Sequence, residues 1–262
     1  MSEDFEDYDD YDDHYDYGFG VHLPNTDLRT TPLHEAVRNR DIARVEEFLR
    51  NGVDVDVQDG QCITPLQVAV GRGTVEDDGI IRLLFQYGAD VTGRNGVHGN
   101  ALNHAGSPRT MGILLDHASA QEGFSLTSAN RALCTASEHG DLEMIQLLLA
   151  RGVSPNAAGS EYGSPLEAAA HYGSEDAVQA LLDAGADVNF QGGYPGNALQ
   201  AAARYGYVNL VRILLQAGAD VNAPGGIHAN ALTSAVKRNH PLVVDVLLKA
   251  GATPIEENER SL

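Results

Sequence analysis

Apolar positions in residues 197–229 fall into two kinds of segment. Small residues fill Ala198 to Arg204, just after Asn197, a residue type whose side chain caps helices. Gly206 then signals a tight turn. Large residues follow between Val208 and Gln216, at Val208, Leu210, Val211, Ile213, Leu214 and Leu215. Gly218 stands where a left-handed C-cap ends such a helix. Asp220-Val221-Asn222 leads on to Pro224-Gly225-Gly226, a turn signal. The stretch therefore predicts a short helix, a turn, a second helix and a loop.

Such a pair does not fold by itself. Its second helix is apolar over more than half its circumference and needs cover on several sides. What one pair buries does not outweigh the entropy of ordering its backbone. The pattern thus predicts neighbours of the same kind.

The chain has them. Thr31-Pro32-Leu33, Thr64-Pro65-Leu66 and Ser164-Pro165-Leu166 open three units. Asn100-Ala101-Leu102, Asn197-Ala198-Leu199 and Asn230-Ala231-Leu232 open three more, and Arg131-Ala132-Leu133 opens another. Each Ser, Thr or Asn can cap its helix, and proline at the first helical position loses no needed hydrogen bond. The leucines advance in steps of 33, 36, 31, 33, 33 and 33 residues. Glycine follows the second helix at Gly52, Gly88, Gly152, Gly185, Gly218 and Gly251.

This pattern resembles ankyrin repeats. Gly185-Ala186-Asp187-Val188-Asn189 and Gly218-Ala219-Asp220-Val221-Asn222 match the family's G-A-D-V-N, and Thr31-Pro32-Leu33-His34 its opening tetrapeptide. The form G-G-x-x-G-N-A-L, at Gly192 to Leu199, is similar to arrays common in filamentous fungi. The resemblance covers roughly residues 30–254. It implies an all-α fold: an α-solenoid of about seven helix-turn-helix repeats joined by β-hairpin-like loops. His34, in the opening motif, is expected to brace neighbouring loops.

Three departures stand out. Repeat two carries an insertion at Asp77-Asp78-Gly79. In repeat three Gly106-Ser107-Pro108 cuts the first helix, so an irregular segment is expected at about residues 105–128, still in line or forming a bend. Arg40 and Asn239 replace the glycine of the inter-helix turn; asparagine tolerates the left-handed region, whereas arginine is strained there.

Charge sets the ends apart. The 262 residues carry a formal net charge of −20. Residues 1–28 hold ten Asp or Glu and no Lys or Arg, so half of that charge is there. Within residues 1–20 the carboxylates alternate with Phe5, Tyr8, Tyr11, Tyr15, Tyr17 and Phe19. Like charges repel, and aliphatic surface is too scarce for a core. We read residues 1–24 as a disordered acidic, Tyr-rich tail, residues 25–254 as the array and residues 255–262 as a polar C-terminal tail. The first tail could solubilise, present its aromatics to a partner as activation domains do, or lie in a basic groove of its own array.

Composition excludes several roles. The acidic balance argues against direct nucleic-acid binding. Cys62 and Cys134 are isolated, which fits a reducing compartment. No run reaches membrane-spanning length and no basic or apolar leader opens the chain. The expectation is an intracellular protein, cytoplasmic or nuclear, monomeric, with no membrane role. Nucleotide-loop, hydrolase-elbow and zinc motifs are missing, so neither an enzyme nor a cofactor or metal site is expected. Gly192-Gly193 and Gly225-Gly226 do not sit between a strand and a helix and read as hairpin tips.

Binding is the remaining chemistry. In such a solenoid, first-helix faces and hairpin tips line a concave side. The pairs before the inter-helix turn are Arg38-Asn39, Gly71-Arg72, Glu138-His139, His171-Tyr172, Arg204-Tyr205 and Lys237-Arg238. Hairpin positions add Gln61, Val97, Glu161, Tyr194 and Ile227. The stripe is basic and aromatic on an acidic protein. We therefore take Arg38, Arg72, His139, His171, Tyr172, Tyr194, Arg204, Tyr205, Lys237 and Arg238 as candidate partner-binding residues. Tyr172, Arg204 and Tyr205 are the expected anchors, because Tyr and Arg dominate binding hot spots. The leading expectation is a protein–protein interaction scaffold. A transcription coregulator that grips a transcription factor and uses the tail is the alternative; a regulatory subunit of an enzyme is a third.

Overall fold

The computed structural model describes residues 30–93, 99–121, 123–159, 162–193, 196–226 and 229–254. Six helix pairs follow one another: α1 (Pro32–Arg38) with α2 (Ile42–Arg50), α3 (Pro65–Val70) with α4 (Asp78–Gln86), and, beyond unit three, α6 (Asn130–His139) with α7 (Leu142–Ala150). Then come α8 (Pro165–Tyr172) with α9 (Glu175–Asp183), α10 (Ala198–Arg204) with α11 (Val208–Gln216), and α12 (Ala231–Lys237) with α13 (Pro241–Lys249). Unit three joins a 3-10 turn, Ala101–His104, to α5 (Pro108–Ala118). No β-strand occurs among the described residues; the loops keep single hairpin bonds such as Asp59 N–H to the Ile63 carbonyl at 3.0 Å.

First-position helices stack on one another in one layer and second-position helices in the next. The opening leucines, Leu33, Leu66, Leu102, Leu133, Leu166, Leu199 and Leu232, are at most 4% exposed and share one continuous core. Ala168, Ala169 and Ala170 on α8 and Ala201, Ala202 and Ala203 on α10 are fully buried; their size lets the first layer pack closely. Thr31, Thr64, Asn100, Ser164, Asn197 and Asn230 cap the first layer as expected. Asn130 begins α6 without a side-chain cap.

Two polar ladders run along the array, an outer one that joins neighbouring units and an inner one that joins a first helix to the hairpin leading into the next unit. In the outer one, Asn189 accepts from Asp220 N–H at 2.7 Å and donates to the Gly218 carbonyl at 3.1 Å. Asn156 and Asn222 repeat the clamp on Asp187 and Gly185, and on Thr253 and Gly251. In the inner ladder, Gln67 Nε2 reaches the Gly99 carbonyl at 2.9 Å and Gln200 Nε2 the Ala223 carbonyl at 3.0 Å. His34 holds the Ile63 carbonyl through Nε2 at 2.8 Å, the brace expected of it. Burial keeps its ring neutral by pushing its pKa down.

The insertion in repeat two is a fastening. Its first residue ends a 3-10 turn, Val75–Asp77, that buries Asp77, and Asp78 and Gly79 begin α4. Arg40 sits at φ 56°, in the left-handed place of the turn glycine, and Asn239 at φ 58°. Arg40 donates to Asp77 through Nε at 2.8 Å and Nη2 at 3.2 Å. Burial alone would raise the Asp77 pKa, but the bonds from Arg40 and Thr74 win and hold it low. Asp78 pairs with Arg109 of α5, so the inserted carboxylates link units one, two and three.

The irregularity expected over 105–128 is narrower than that. Ser107 caps α5 and Pro108 is its first residue, so the apparent helix breaker starts a regular helix running to Ala118. The departure is confined to the shortened first element and to the loop before the 3-10 turn Leu126–Ala129. Unit three packs in line: its 3-10 turn touches α3 and α6, α5 touches α7, and Phe85 of α4 stacks on His117 at 3.8 Å.

Glu167 is the carboxylate of the inner ladder, where its counterparts are His34, Gln67, Asn103, Cys134, Gln200 and Thr233. Its carboxyl accepts from Ser164 N–H at 2.8 Å and Gly193 N–H at 3.4 Å. Burial nevertheless pushes its pKa up from 4.5 to about 7. The folded state thus favours the protonated form, and the stability it supplies below pH 4.5 is lost as pH rises through 7. Urea unfolding between pH 4.5 and 7 should show wild type losing up to roughly 1.4 kcal/mol per pH unit relative to Glu167→Gln. Parallel curves for the two proteins would contradict this.

Candidate functional site

The candidate residues flank the inter-helix turns. Gly173 (φ 81°) and Gly206 (φ 77°) are left-handed. A Cβ at Gly173 would stand 2.8 Å from Tyr207 Cζ, and one at Gly206 would stand 2.5 Å from His240 Nδ1. The residue preceding each second helix therefore lies on the turn of the unit before it. Only glycine leaves room for that ring.

An aromatic ladder runs beside these turns. His171 lies between Tyr162 and Tyr205, with ring centroids 4.6 Å away on each side, and meets Tyr172 at 5.0 Å. Tyr205 Oη bonds His171 Nε2 at 3.0 Å, and the Tyr162 and Tyr172 hydroxyls bond each other at 3.0 Å. Tyr205 stacks toward Tyr207 at 6.0 Å, and the Arg204 guanidinium lies 5.9 Å from the Tyr205 ring. His240 Nε2 takes the Arg204 carbonyl at 2.9 Å. Burial and the neighbouring Tyr205 raise the Tyr207 pKa, keeping that phenol neutral. Tyr172 and Tyr205 remain 48% and 39% exposed, so the ladder is braced from behind and open in front.

The structure thus brings His171, Tyr172, Arg204 and Tyr205 together. Lys237, exposed, and Arg238, half-buried, continue the face on α12. His139 is exposed on α6, where its Nδ1 bonds the Thr135 carbonyl. Arg38 and Arg72 form a separate basic end. Arg38 lies 3.7 Å from Asp59, and Arg72 donates to the Arg38 carbonyl at 2.7 Å. Between the two ends, Ser107 and Pro108 occupy the stripe's place in unit three and already begin α5. Tyr194 lies outside the described residues, as do Val97, Glu161 and Ile227.

Sequence reasoning missed Tyr162, Tyr207 and His240. The signal for two of them was present: Ser174, Tyr207 and His240 advance by the same 33-residue step as the leucines. Tyr162 had no such signature.

Aromatic faces, two hydroxyls and one guanidinium suit recognition of a peptide by stacking and hydrogen bonding. Among the described residues, no group of three or more His, Cys, Asp or Glu is placed to hold a metal ion. No helix among them is long and apolar enough to cross a membrane.

Comparison with known proteins agrees with this architecture. The family model for ankyrin repeats in three copies matches residues 98–192 and 166–258, and the single-repeat model matches residues 29–60. A protein of fowlpox virus (strain NVSL) described as an ankyrin repeat protein is 29% identical over 140 residues, 52% of this chain and 20% of its own length. The chain therefore matches only a fifth of that curated relative. The crystal structure of the ankyrin repeat domain of Bcl-3, described as a unique member of the IkappaB protein family, superposes with a TM-score of 0.68 at 31% identity. That alignment covers 84% of this chain and 98% of the other. The ankyrin repeat domain of human ASB11 superposes with a TM-score of 0.68 at 25% identity, covering 86% and 100%.

Proposed function

Since the chain belongs to the ankyrin-repeat family, a general protein–protein interaction fold, we propose that it is a non-catalytic scaffold gripping another protein on its concave face. The observation that carries this reading is the ladder Tyr162, His171, Tyr172 and Tyr205 with Arg204 beside it, fixed from behind and exposed in front. Tyr172, Arg204 and Tyr205 are its anchors. Lys237, Arg238 and His139 extend it, Arg38 and Arg72 add charge at the far end, and Tyr194, outside the described residues, completes the set of candidates. An acidic segment with aromatic or hydroxyl side chains is the partner chemistry that suits it.

We count seven repeats in an array of residues 25–254, taking the shortened unit three as one of them. The acidic tail is residues 1–24 and the polar tail residues 255–262. The form G-G-x-x-G-N-A-L supports placing the chain with fungal arrays. Cys62, exposed, and Cys134, buried, are not joined in a disulfide, which supports an intracellular site, cytoplasmic or nuclear. We take the protein as monomeric.

Capture of partners from a cell extract by the intact chain, repeated with Tyr172→Ala, Arg204→Ala and Tyr205→Ala together, tests the site. The triple variant should keep its helicity and lose one specific partner by ten-fold or more, since each such anchor contributes about 1–2 kcal/mol. Retention of the same partners at equal strength would refute the anchor choice.

A second reading is a transcription coregulator that holds a transcription factor and uses its tail. The feature favouring it is the alternation of carboxylates and aromatics in residues 1–20. Residues 1–24 fused to a DNA-binding domain should then activate a reporter. A silent reporter favours the plain scaffold.

A further inference from the structure

Unit three leaves a gap in the stripe of candidate residues. Its first element is a single 3-10 turn, Ala101–His104, after which Ser107 already caps α5. The missing last turn of helix opens a pocket of about 180 Å³ between unit three and α6. Leu102, Ala105, Met111, Ala132, Ala136 and Met144 give it an apolar wall. Asn103 also lines it, and the Asn103 Oδ1 is buried with no hydrogen-bond donor among the described residues. Asp141, at one edge, is engaged in capping α7 through Met144 N–H at 3.0 Å.

The size and chemistry of this pocket define an occupant. An apolar cavity of roughly 150 Å³ takes one benzene ring. Asn103, Thr135 and His139 add polar groups to the lining and suit a ring that carries a hydroxyl, which among the side chains with a single six-membered ring is the tyrosine phenol. The pocket interrupts the stripe between two basic stretches. Arg38 and Arg72 lie on one side, where Gly106 packs against the Gly71–Arg72 backbone. His139 stands at its edge, with Arg204, Lys237 and Arg238 further along. An acidic segment carrying tyrosines fits that arrangement.

The chain carries such a segment outside the described residues. Residues 1–28 hold ten carboxylates, no Lys or Arg, and Tyr8, Tyr11, Tyr15 and Tyr17. Tyr17 precedes Thr30 by 13 residues, which reach at most about 45 Å when extended. Two helix spacings of about 10 Å separate unit one from unit three. We propose that a tyrosine of residues 1–29 occupies the unit-three pocket in cis, with its flanking carboxylates on the basic stripe. A partner's acidic segment must displace it to use the whole face. This site is separate from the ladder at Tyr172 and Tyr205.

The chain contains three methionines, Met1, Met111 and Met144, and the last two line the pocket. Methyl-labelled methionine spectra of the full chain therefore read the pocket directly. Replacing Tyr8, Tyr11, Tyr15 and Tyr17 by serine should move the Met111 and Met144 methyl signals by more than a linewidth, as the ring current is lost. Those wild-type signals should not change on dilution. Met111 and Met144 signals identical in the two proteins overturn the proposal. A wild-type position that drifts toward the variant's on dilution overturns it in favour of a second copy's tail. Because Tyr172, Arg204 and Tyr205 are intact in this variant, either failure leaves the partner-capture result to stand by itself.

Discussion

The side-chain amide of Asn189 makes two bonds at once to the next unit: it accepts from the Asp220 backbone and donates to the carbonyl of Gly218. Neither bond can form within one unit. Asn156 and Asn222 do the same one unit earlier and one later. The apolar core obeys the same rule, since the opening leucine of each unit is buried in one core that runs through all of them. Folding therefore rests on contacts between neighbours, and a helix pair taken alone leaves both its amides and its leucine in water.

That dependence also gives the candidate site its precision. The His171–Tyr205 bond joins residues 34 positions apart, on helices held in register by the two ladders. Tyr207 and His240 cover the preceding turn glycines and so link each unit's binding edge to the next unit's second helix. Where the register changes, at unit three, the edge is replaced by a pocket. The early start of α5 after a shortened first element thus decides where the face is open.

Much of the fold was legible because its determinants repeat. The bounds of α10 and α11, the caps and the leucine spine follow from residues at fixed spacing, and the loop brace by His34 from the resemblance of its opening motif. What repetition does not encode was missed or blurred. Asp77 reads as part of an insertion, and only the folded chain shows that it neutralises Arg40, the arginine strained in a glycine's place. Ser107-Pro108 reads as a break in one helix because cap and breaker use the same residue types; tertiary contacts make it the start of the next. For the site, the four residues of the ladder's edge fall on the stripe read from the sequence; Tyr162 carries no repeating signature, and Tyr207 and His240 keep the 33-residue step but act by contact with the preceding unit, which spacing alone does not reveal.

The most direct test is native-state amide hydrogen exchange on the chain carrying Asn189→Ala. Reliance on neighbours predicts that protection falls together in α8 to α13, on both sides of the altered loop. Protection lost only within residues 175–204, with α12 and α13 exchanging as in wild type, would contradict it.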